Sequence, residues 1–124
     1  MAASSQAASM FGYLLGLFIL VMAGGAALAA LEHRGRALPL KLSVWHGLLG
    51  IAAIVFLVMQ AVAHPGVRPV NMAILVFVLT ALGGLLLLAF RASRQRLPLA
   101  VVLLHALFAV AGLALLFAGW SRMR

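Results

Sequence analysis

LPLKLSVWHG, residues Leu38–Gly47, returns in outline as LPLAVVLLHA, residues Leu97–Ala106. The shift is 59 residues (38 to 97), and in each copy a histidine, His46 or His105, stands seven positions after the proline. Carried through without gaps, the same shift lays Gly24-Gly25 on Gly83-Gly84, Phe18 on Phe77 and Leu57 on Leu116. Leucine matches arise by chance in a chain so rich in leucine. A proline, a glycine pair and a histidine agreeing on one offset point to a duplicated unit.

What the unit contains follows from the charge pattern. Of 124 residues, 67% are hydrophobic and only 8% charged, a composition outside the range of water-soluble domains. Lys, Arg, Asp and Glu are missing from 1–31, 42–66, 69–90 and 97–121. Each interval holds the roughly 20 apolar residues that a helix needs to cross about 30 Å of hydrocarbon. The sequence therefore predicts spans near 10–31, 42–63, 69–90 and 99–120. These divide the chain into a short polar tail (1–9), a first helix pair (10–63), a connecting loop (64–68), a second pair (69–120) and a basic tail (121–124). The start of the chain has no basic residue, so the first span is expected to be a retained anchor and not a cleaved signal.

Short connections require consecutive helices to be neighbours running in opposite directions. Two spans per repeat return the chain to the same side, so the two copies enter the membrane in the same sense. The expected fold is an all-α integral membrane protein, an antiparallel four-helix bundle built from two parallel-related helix pairs. Loops one and three carry Arg34, Arg36, Lys41, Arg91, Arg94 and Arg96; the opposite face carries Arg68, Arg122 and Arg124. That bias predicts loops one and three in the cytoplasm and both termini outside, in an inner membrane of bacterial type if the source is prokaryotic.

The formal charge of +8 would suggest nucleic acid in a soluble protein. Here the cations flank spans, where lipid head groups account for them, and nucleic acid is not an expected partner. Membrane lipids are, together with a membrane protein partner or a second copy of the chain. Trp45, Tyr13 and Trp120 read as interfacial aromatics. The absence of cysteine excludes thiol chemistry.

In such a bundle the second and fourth helices lie diagonally, which brings His46 and His105 to one depth. Small residues gather near that level: Gly24, Gly25, Gly50 and Ala53 in the first half, Gly83, Gly84, Ala109 and Gly112 in the second. Two facing imidazoles can fill both axial positions of a haem iron. Glycine and alanine would leave room for a flat macrocycle, with Leu42, Leu49, Val101 and Phe108 around its edge. The expectation is a b-type haem on His46 and His105, lined by those eight small residues and suited to electron transfer. Basic residues on the nearer face could pair with its propionates.

Two other readings use the same residues. The histidines could brace the helices of a scaffold or accessory subunit, since small residues also favour close packing between membrane helices. A transporter-like oligomer is the other, but Glu32 is the only acidic residue, and Ser43, Gln60, Asn71 and Thr80 form no continuous polar path. No nucleophile and base, acid and base or phosphate-binding motif suggests an enzyme. Two histidines make an incomplete zinc site. His33 and His64 are expected in a loop and in a solvated turn beside Pro65-Gly66.

Overall fold

The computed structural model describes residues 2–124, with side chains from Ser5 onward. Four helices make up almost all of it: α1 (Ala2–His33), α2 (Leu40–Ala63), α3 (Arg68–Ala92) and α4 (Leu99–Ser121). All four are long and apolar enough to cross a membrane. α1 begins earlier than the expected span, because Ala, Ser and Gln precede Gly12 without a proline or glycine to interrupt them, and alanine is the strongest helix former. The residues read as a polar tail thus continue the helix; Met1 lies outside the described residues.

Prolines set the starts of two helices. Pro39 and Pro98 are the N-caps of α2 and α4, with φ near −60° and extended ψ. α1 and α3 end in matching turns. Gly35 donates to the Glu32 carbonyl and Arg36 to that of Leu31; Arg94 donates to Arg91 and Gln95 to Phe90. This paired bonding defines the Schellman motif, whose penultimate residue is left-handed. Gly35 adopts φ 73° without cost, whereas Arg94 adopts φ 54° with a side chain attached.

Each helix packs on two neighbours, in the closed order α1, α2, α3, α4 and back to α1. α1 therefore faces α3 across the bundle, and α2 faces α4. The core occupies the half that carries the chain termini. Its residues fall into pairs separated by the 59-residue shift: Phe11 with Val70, Leu14 with Ala73, Phe18 with Phe77, and Leu57 with Leu116. Ala53 and Gly112 form a fifth buried pair.

α3 and α4 make the most extensive contact. Two glycines of α4 permit it: a Cβ at Gly112 would lie 2.8 Å from the Phe77 ring, and one at Gly119 would lie 2.6 Å from a Val70 methyl. Their counterparts on α2 are Ala53 and Gln60, so α1 and α2 have no equivalent pair of glycines on which to close. Instead α1 meets α4 near the termini through Trp120, whose Nε1 donates to the Ala8 carbonyl at 2.8 Å. Arg124 covers the same indole 4.8 Å from its centre, a cation over an aromatic face.

The outward surface is mainly leucine, valine, isoleucine and phenylalanine, with methionines, Tyr13 and Trp45 among them. Lipid tails solvate such a surface, so association of the helices rests on close packing and on the few polar contacts between them.

Candidate functional site

The half of the bundle carrying loops one and three is hollow. A cavity of about 350 Å³ lies among all four helices, within the range of about 300–1,000 Å³ usual for cofactor and small-ligand pockets. Its wall repeats by the 59-residue shift: Val21 and Thr80, Gly25 and Gly84, Glu32 and Arg91, Gly50 and Ala109 all line it.

His46 from α2 and His105 from α4 face each other across this space. Their ring centroids are 6.4 Å apart, with the ring planes 73° from parallel. The structure thus brings together the two residues that the repeat singled out.

The His105 ring is held by the backbone of the helix before it. His105 Nδ1 lies 2.8 Å from the Thr80 carbonyl oxygen. A carbonyl can only accept, so Nδ1 carries the proton and, in the neutral imidazole, Nε2 keeps its lone pair. Val21, the position equivalent to Thr80, lines the cavity with His46. Sequence reasoning missed this contact of His105 with Thr80, because a main-chain carbonyl leaves no signature in residue type.

The second glycine of each pair gives the imidazole its room. Gly25 and Gly84 follow Val21 and Thr80 by one helical turn, beside their carbonyls. A Cβ at Gly25 would come within 2.8 Å of His46 Cε1 and 3.0 Å of Nε2; at Gly84 it would come within 3.0 Å of His105 Cε1. Gly24 and Gly83 are less confined, with nearest histidine atoms at 3.9 and 3.7 Å. The glycine pairs are therefore seats for the imidazoles themselves, a closer role than space for a macrocycle.

Of the eight small residues expected around the site, Gly25, Gly50, Gly84 and Ala109 line the cavity. Gly24 and Gly83 lie beside the histidines behind it. Ala53 and Gly112 instead belong to the packed half, where Gly112 abuts Phe77. Leu42, Leu49 and Phe108 point outward and are exposed, and Val101 is not part of the wall. Ser43, Gly47 and Ile51 of α2 and Val102, Ala106 and Val110 of α4 take those places.

The two ends of the cavity are bounded by residues 59 positions apart that touch across the bundle. Phe18 and Phe77 stack at 4.0 Å and 7° on the core side. At the loop side Arg91 forms an ion pair with Glu32. Sequence reading had placed both charges in loops; a signal was present in their occupying equivalent positions with opposite sign.

His33 is exposed. His64 packs edge-on against Phe11 at 6.3 Å, more enclosed than a solvated turn. Among the described residues no group of three or more His, Cys, Asp or Glu side chains is placed to hold a metal ion. No protein-family model, curated protein or solved structure matches the chain.

Proposed function

We propose that the chain is a membrane electron-transfer module, an antiparallel bundle of two parallel-related helix pairs that binds one b-type haem through His46 and His105. The observation that carries this reading is the separation of the two rings. An imidazole nitrogen sits about 1.1 Å from its ring centre and a metal–imidazole bond is about 2 Å, so two rings facing one ion in line have centres about 6.2 Å apart. The value here is 6.4 Å.

The second support is the hydrogen bonding behind the His105 ring. Metal-ligating histidines commonly donate their other N–H to a carbonyl or carboxylate, which fixes ring orientation and raises ligand basicity. The Thr80 carbonyl accepts such a bond from His105 Nδ1. The apolar wall limits water, while Phe18 and Phe77 close the core side. A haem held by two histidines supplies one-electron chemistry with no open iron position. The chain's own contribution is to seat, orient and bury the ligands.

The repeated core pairs, cavity wall and helix-end turns support a duplicated two-helix origin. The six basic residues around loops one and three support a cytoplasmic position for that face.

The hydrogen bond from His105 to the Thr80 carbonyl also favours a second reading, a scaffold whose histidines only brace adjacent helices. An absorption spectrum separates the two. Protein purified in mild detergent from haem-sufficient cells should show a six-coordinate low-spin b-type spectrum near one haem per chain. His46→Ala and His105→Ala should each lose it while keeping their helical circular dichroism. Haem-free wild-type protein that resists reconstitution would leave the bracing role.

A further inference from the structure

Among the described residues, Arg91 is the one lysine or arginine that the fold turns into the cavity wall. Its side chain is only 14% exposed. One part of the guanidinium is engaged by Glu32 of α1, yet Nη1 is buried without a hydrogen-bond partner. A guanidinium offers five N–H donors in a planar fork, and Glu32 cannot use them all. An unpaired donor on a buried cation is costly in low dielectric, and a carboxylate is the group whose paired oxygens best match the fork.

Position narrows the ligand further. Arg91 stands at the loop end of the same cavity whose middle is spanned by the two histidines, and the opposite end is sealed by an apolar aromatic stack. A ligand seated here meets imidazoles at its centre, hydrocarbon at one end and a cation at the other. Iron protoporphyrin has that polarity, with both carboxylates on one edge.

We propose that Arg91 is the carboxylate-binding residue of this cavity, taking a haem propionate on the donors that Glu32 leaves free. The assignment rests on the haem reading above and adds the direction in which the macrocycle is inserted, propionates toward loops one and three. Glu32 then has two opposing effects: it holds the guanidinium in place, and its own charge opposes an incoming carboxylate.

The test is a titration of haem-free protein from haem-starved cells with iron protoporphyrin and with its dimethyl ester, followed by the low-spin spectrum. The wild type should prefer the free acid by about 10-fold or more, the scale of one charge-assisted hydrogen bond. Arg91→Leu should shrink that preference to within about 2-fold while the low-spin spectrum persists. Glu32→Gln, which keeps an amide beside the guanidinium, should widen it; this variant and the wild-type comparison do not depend on Arg91→Leu folding. Equal affinities for acid and ester in the wild type, both with low-spin spectra, would overturn the carboxylate site and leave bis-histidine ligation standing. A preference that survives in folded Arg91→Leu would move the role to another cation. No low-spin spectrum with either compound would overturn the haem reading and this assignment together.

Discussion

Phe18 and Phe77, which occupy the same position in the two halves of the chain, stack on each other 4.0 Å apart across the bundle. They bound the cavity and also belong to the buried core, so one contact separates the hollow half of the protein from the solid half. Truncation there should affect both. Phe77→Ala is expected to cost about 3 kcal/mol, the low end for a buried phenylalanine, because lipid or detergent takes the place of water outside. Unfolding in detergent measures it; a cost below about 1 kcal/mol would show that the stack is dispensable.

The two glycines of each pair should differ sharply in tolerance. Gly25→Ala drives a methyl into the His46 ring, whereas Gly24→Ala meets that ring at ordinary van der Waals distance. Disturbing the orientation of a ligand typically weakens binding by about 10- to 100-fold, and under the haem reading proposed above that loss is expected in Gly25→Ala but not in Gly24→Ala. Equal affinities in the two variants would contradict the seating of the imidazole on Gly25.

Thr80 acts on His105 through its carbonyl, while its hydroxyl turns back to the Val76 carbonyl at 2.9 Å. Thr80→Val should therefore leave the haem spectrum and affinity unchanged. Valine already stands at the equivalent position, Val21, in the other half. A spectral shift in this variant would mean that the hydroxyl has a role at the site.

Arg94 sits in the left-handed region at the position where the first half has Gly35. A left-handed conformation costs a residue with a Cβ about 1–2 kcal/mol, part of which glycine returns through its greater freedom in the unfolded chain. Arg94→Gly should stabilise the protein by about 1 kcal/mol or less, and Gly35→Ala should destabilise it. Thermal unfolding of both variants decides this, and a destabilised Arg94→Gly would indicate that the lost charge outweighs the relieved backbone.

The spans, the histidine pair and the importance of the glycine pairs were all legible in the sequence, since each depends on length, spacing or repetition. The inward face of each helix was less so. Leu42 and Leu49 were read as lining residues and face outward, while Ser43 and Gly47 line the cavity. In a soluble bundle the polar face reveals how a helix is rotated; here lipid-facing and inward-facing positions are equally apolar, so periodicity carries little contrast. Ala53 and Gly112 were misplaced for a related reason. Small size marks a close approach but does not say whether a neighbouring side chain or a ligand makes it.

The density of the terminal half limits what the cavity's contents have to support. Phe11, Leu57, Val70 and Leu116 are buried together without help from the cavity. The bundle is a cup whose base is packed independently of its contents, so under the haem reading the loss of haem should leave that base intact.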